Sequence, residues 1–122
     1  MDIYREMILD HYKHPHNFGH LKNPSASYTL FNSACGDKIT MEVTIDGKGK
    51  VTDVRFSGEG CAISQAAASM LTDMIKGKTK EDIMKLTAAD ILVLLKTELT
   101  ASRTKCAVLP LEVLQKTISS AV

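Results

Sequence analysis

The thiols of this 122-residue chain are three cysteines, Cys35, Cys61 and Cys106. Cys35 stands in Asn32-Ser33-Ala34-Cys35-Gly36-Asp37-Lys38, beside a glycine and two residues from a carboxylate. Cys61 follows Gly58-Glu59-Gly60, and Cys106 follows Arg103-Thr104-Lys105. A free cysteine is most often a small buried hydrophobe. That fate suits the middle of a helix or strand, whereas the surrounding patterns put all three cysteines at element ends. Three thiols cannot pair completely, which leaves buried thiols, a reactive thiol or metal ligands. The thiolate is the form that binds metal and attacks sulfur, and a helix N-terminus favours it. Three thiolates leave a tetrahedral site one ligand short. Asp37 can supply the fourth: residues i and i+2 of an extended chain point the same way, and Gly36 lets the backbone bend toward a single ion. Four anionic ligands around a divalent ion leave excess negative charge, for which Lys105 and Arg103 are the cations at hand.

Other metal-ligand types carry less. Of the four histidines, His11, His14, His16 and His20, only His16 and His20 are four apart, and Pro15 and Gly19 break any helix that would align them. They read as a solvated polar arm. Met70 and Met74 read as core filler.

The elements that must position these residues follow from periodicity. Residues 2–13 fit a helix with Ile3, Met7, Ile8 and Tyr4 on one side, ended by Pro15. Residues 14–26 are rich in His, Asn, Gly and Pro and read as an irregular, flexible arm. Residues 27–31 are a short strand. Residues 38–46 alternate, with Ile39, Met41, Val43 and Ile45 on one face and Thr40, Glu42 and Thr44 on the other. Asp46-Gly47-Lys48-Gly49 is a turn, and residues 50–57 pair back as a third strand. The meander has one covered face. From Ala62 to Lys76 apolar residues recur at helical spacing, and Gly77 caps the end. Thr79 with Asp82, and Thr87 with Asp90, resemble capping boxes opening two short helices. Residues 97–104 read as a polar connection. A last helix carries Leu109, Val113, Leu114 and Ile118 with Pro110 in its first turn, which places Cys106 at or just before its start. Helix, strands, then helices indicate an α+β fold: a three-stranded antiparallel sheet with helices packed on one face.

Composition sets the class. The chain is 44% hydrophobic and 24% charged, with a formal net charge of +1. The charge argues against nucleic-acid binding. No apolar run approaches the ~20 residues of a membrane helix. The N-terminus, MDIYREMILDHYK, is too charged for a signal peptide. The expectation is a single domain over residues 1–122 in the cytoplasm, where thiols stay reduced.

The motifs resemble the iron–sulfur cluster assembly scaffolds of the IscU, SufU and N-terminal NifU family. The resemblance is carried by Tyr4 with Asp10-His11-Tyr12 and Pro15; by Cys35-Gly36-Asp37; by Gly58-Glu59-Gly60-Cys61-Ala62-Ile63-Ser64 with Ala68-Ser69; and by Arg103-Thr104-Lys105-Cys106-Ala107. It implies a SufE/NifU-like α+β domain whose cysteines and aspartate meet at one exposed edge. Cys35, Asp37, Cys61 and Cys106 become ligands of a transient [2Fe–2S] cluster or of Zn2+. The implied partners are a cysteine desulfurase and apo iron–sulfur acceptor proteins, with the chain a monomer or dimer. The implied role is a scaffold rather than an enzyme; the alternative is a zinc-dependent sulfur acceptor. Cys106, next to Lys105, is the expected persulfide acceptor, with Lys105 supporting the thiolate or balancing charge. IscU-type proteins carry histidine where this chain has Lys105, and they offer a dedicated Hsp70 chaperone a proline-rich motif. Residues 97–104, TELTASRT, lack that motif, so no such chaperone is expected. SufU-type proteins carry an insertion before the last cysteine, for which the step from Cys61 to Cys106 leaves no room. The chain is SufU-like in site chemistry and IscU-like in length.

Overall fold

A computed structural model of the chain describes residues 3–32, 36–96 and 98–121. Of the positions singled out by sequence, Cys35 and the side chains of Ile3 and Tyr4 lie outside the described residues. The elements run α1 (Ile3–Lys13), β1 (Ala26–Asn32), β2 (Asp37–Ile45), β3 (Val51–Glu59), α2 (Ala62–Ile75), α3 (Lys80–Met84), α4 (Ala88–Leu95) and α5 (Ala101–Ser120). The sheet is an antiparallel meander in the order β1-β2-β3. Its alternation has the expected result: Ile39, Met41 and Val43 of β2 and Val54 and Phe56 of β3 have no exposed surface. Against that face α2 packs over β3, and α5 packs over β1 and β2. Burying one such side chain is worth roughly 1.5–3 kcal/mol, so this layer is the main source of stability. Ala66, Ala67 and Ala68, all fully buried, let α2 lie close to its neighbours.

The capping signals are realised. Thr79 accepts a hydrogen bond from the Asp82 N–H at 3.2 Å, and the Thr87 N–H donates to Asp90 Oδ2 at 2.8 Å. Gly77, at φ +84°, follows α2 in the left-handed region that favours glycine.

Two expectations change. The last helix begins at Ala101, and Thr100 is its N-cap, accepting from the Arg103 N–H at 3.3 Å. Cys106 is therefore in the second turn, and Pro110 is inside the helix rather than at its start. An interior proline costs about 3 kcal/mol; here Pro110 is buried alongside Leu109 and Leu111, and that packing offsets the cost.

The second change concerns the outer sheet face. Glu42 lies on the face read as polar, yet only 7% of it is exposed. The segment after α1 lies first against α2, where the His16 N–H donates to Ser69 Oγ at 2.8 Å, and then passes the edge of β3 to reach that face. The Phe56 N–H donates to the Asn17 carbonyl and the Gly19 N–H to the Phe56 carbonyl, each at 2.9 Å, so residues 17–19 run beside β3. Glu42 then accepts from the Leu21 N–H at 3.0 Å and pairs with His20 Nδ1 at 2.6 Å. His11 Nδ1 meets Ser69 Oγ at 2.7 Å, and His16 Nδ1 pairs with Asp73. Three of the four histidines thus tie α1 and the following segment to α2 and β2.

Burial, then the nearby His16, holds the His11 pKa below its ordinary 6.5. The unfolded chain therefore takes up this proton at higher pH than the folded one. The contribution to stability is complete above the ordinary pKa and is lost as pH falls through the folded value. Thermal unfolding is expected to weaken by a few degrees from about pH 7.5 to about pH 5.5, with a smaller fall in His11→Gln; calorimetry at the two pH values checks it.

Candidate metal centre

The site forms where the start of β2, the end of β3 and the starts of α2 and α5 meet. Asp37 opens β2 after Gly36, whose φ of +71° lies in the left-handed region that favours glycine. Register brings Lys38 opposite Glu59, so the chain leaving β3 passes directly over Asp37. Two glycines permit this. Gly58 (φ +141°) and Gly60 (φ +150°) lie in conformations side chains rarely adopt. A Cβ on Gly58 would collide with the Lys38 carbonyl oxygen, and a Cβ on Gly60 with the Asp37 carboxylate. Sequence reasoning gave these glycines no part beyond ending the strand. The signal was the Gly-Glu-Gly triplet, which becomes interpretable once the strand register is known.

With Gly60 out of the way, Asp37 Oδ1 accepts the Cys61 backbone N–H at 2.8 Å. Its Oδ2 faces Cys61 Sγ at 3.8 Å. One carboxylate oxygen is thus fixed by the backbone and the other is aimed at sulfur. Asp37 is 1% exposed, a buried acid rather than a solvated turn residue. Cys61 is the N-cap of α2, and its sulfur accepts the Ser64 N–H at 3.5 Å. The free N–H groups at that helix end favour negative charge.

Cys106 arrives from the second turn of α5. One oxygen of Asp37 and the sulfurs of Cys61 and Cys106 all lie within 4.8 Å of one another. Donors around one tetrahedral zinc at 2.0–2.3 Å lie about 3.5 Å apart, so small side-chain movements let all three hold one ion. One hard oxygen and two thiolates suit zinc or ferrous iron. Cys35, two residues before Asp37, lies outside the described residues. Lys105 and Arg103 are exposed in the first turns of α5 and form no ion pair among the described residues. Cys61 is partly exposed and Cys106 is buried. Beside Cys61 opens a cleft of about 240 Å³ lined by Ile8, Leu9, Ala62, Ile63 and Leu99 with Arg5 and Glu98.

The chain matches the family described as NifU-like N terminal domain over residues 3–121. It is 46% identical over 84 residues to the zinc-dependent sulfurtransferase SufU of Bacillus subtilis, covering 69% of this chain and 56% of that protein. It is 43% identical over 89 residues to the iron–sulfur cluster assembly scaffold protein IscU of Streptococcus pyogenes, covering 73% and 54%. The chain thus spans little more than half the length of these curated relatives. A crystal structure titled as a putative iron–sulfur cluster assembly scaffold protein for the SUF system, from Fervidobacterium islandicum, superposes with a TM-score of 0.77 at 30% identity, covering 93% of this chain and 94% of that one.

Two outcomes follow from the geometry. Gly60→Ala is expected to destabilise by about 1–3 kcal/mol from its backbone conformation alone, plus the collision with Asp37. Asp37→Ala relieves only the collision, so a double-mutant cycle by denaturant unfolding should show the two substitutions to be non-additive. In metal-free protein Cys61 is expected to be alkylated about tenfold or more faster than Cys106, as read by mass spectrometry of quenched digests.

Proposed function

Since the chain belongs to the NifU-like N-terminal domain family, we propose that it is an iron–sulfur cluster assembly scaffold. In this reading it receives sulfur from a cysteine desulfurase, builds a [2Fe–2S] cluster and hands it to apo-proteins. The observation that carries the reading is the meeting of Asp37, Cys61 and Cys106 within one ion's reach. Cys35, Asp37, Cys61 and Cys106 are the proposed ligands. The chemistry divides among them. Thiolates hold iron firmly, and the single free oxygen of Asp37 is a weaker, more readily exchanged ligand. A cargo that must leave is served by such a mixed set.

Sulfur enters by attack of a thiolate of this chain on the outer sulfur of the desulfurase persulfide. One S–S bond forms, another breaks, and the donor cysteine departs as thiolate. Conversion of that sulfur to sulfide then takes two electrons from an external reductant. Cys106 is the proposed acceptor. Because it is buried, the first turns of α5 must part from the sheet edge when the partner docks. Lys105, exposed on those turns, is the proposed support for the Cys106 thiolate and for the charge of the site.

A second reading is favoured by the 46% identical relative named a zinc-dependent sulfurtransferase. There zinc shapes the site and the protein only accepts and relays sulfur. In both readings the fold depends on the sheet–helix layer rather than on metal. Purification without oxygen, followed by iron, zinc and acid-labile sulfide analysis, separates the two. The scaffold reading predicts a visible chromophore after incubation with iron, cysteine and a desulfurase. Tight zinc with no cluster on the metal-free protein overturns it. Asp37→Ala is expected to lengthen cluster lifetime at least severalfold with unchanged far-UV circular dichroism.

A further inference from the structure

Ser64 is fully buried in the first turn of α2 and has no place in the ligand set above. Both its polar groups nevertheless converge on Cys61. Its N–H lies 3.5 Å from Cys61 Sγ, its Oγ lies 3.8 Å from the same sulfur, and its hydroxyl donates to the Cys61 carbonyl at 3.1 Å. We propose that Ser64 is a positioning residue for the Cys61 ligand: when Cys61 holds a metal, Ser64 donates both its N–H and its O–H to that sulfur and sets how strongly the sulfur donates to the ion.

The inference rests on the reading of Cys61 as a ligand, and the local geometry supplies the rest. As a thiol, Cys61 has two acceptors within reach of its own hydrogen, Asp37 Oδ2 and Ser64 Oγ, each 3.8 Å from the sulfur. The Ser64 hydroxyl then points at the carbonyl. Once a metal replaces the thiol hydrogen, the sulfur is an anion with lone pairs to be met. Rotation about the Ser64 Cβ–Oγ bond swings the hydrogen from the carbonyl to the sulfur with little movement of heavy atoms. The carbonyl is not abandoned, because the Gln65 N–H donates to it at 3.2 Å. Ser64 is sealed from solvent, so water cannot replace its hydroxyl. Partners of metal ligands are commonly worth 10–100-fold in metal affinity, and hydrogen bonds to cluster sulfurs shift their potentials.

The test uses cobalt(II) as an optical stand-in for zinc. Hydrogen bonds lower the energy of the sulfur lone pairs, so removing one moves the sulfur-to-cobalt charge-transfer band to lower energy. Ser64→Ala is expected to shift that band to longer wavelength and to weaken zinc binding about tenfold in chelator competition. Ser64→Thr, which keeps the hydroxyl, should restore both. An unchanged band and affinity in folded Ser64→Ala overturns this proposal alone, whereas failure of the wild-type protein to take up cobalt overturns the metal-site reading with it. Cadmium-113 NMR of the wild-type protein needs no substitution. Coupling from the metal across the sulfur to the Ser64 amide and hydroxyl protons supports the proposal, and its absence overturns it.

Discussion

A single hydrogen bond, from the Cys61 backbone N–H to Asp37 Oδ1, joins the first residue of β2 to the cap of α2. Everything at the site is set relative to it. It fixes which carboxylate oxygen is left to face sulfur, and it fixes where α2 begins. It places the Cys61 sulfur at a helix end whose N–H groups point outward. A buried carboxylate without such a partner would be costly, so the bond is also the condition on which Asp37 can be buried. α5 then needs only to bring one sulfur, Cys106, within reach from the far side.

The sheet and the central helix were legible because local sequence determines them. The alternation Ile39, Met41, Val43 allows one register against a buried face, and the small apolar run of α2 has a helical period with a glycine stop. The start of α5 was not. Pro110 satisfies the rule for a first-turn proline, and that rule outweighed Thr100, an N-cap residue followed by Ala101, Arg103 and Lys105 as good helix formers alternating with Ser102 and Thr104. Burial of Pro110 decided the matter, and burial is tertiary information. Glu42 shows the same limit. Its alternation reads as solvent-facing, and its actual partners, His20 and Leu21, come from a segment with no periodicity.

The site residues divide along the same line. Of the residues that announce themselves by chemistry, Asp37, Cys61 and Cys106 come together among the described residues. Gly58 and Gly60 do not announce themselves, because their part is steric and becomes visible only when β2 and β3 are in register. The crossing segment between α1 and β1 belongs with them. By pinning the outer face of β2 at Glu42 and the middle of α2 at Ser69, it braces from outside the two elements that carry Asp37 and Cys61.

The glycine pair at the end of β3 has a consequence for anyone who would transplant this centre. Copying the sulfurs and the carboxylate onto another antiparallel hairpin would reproduce the donors and not the site. The recipient strand must also surrender two side chains where it passes over its neighbour, leaving bare backbone in a left-handed conformation. What has to be grafted is partly an empty space, shaped to the width of one carboxylate.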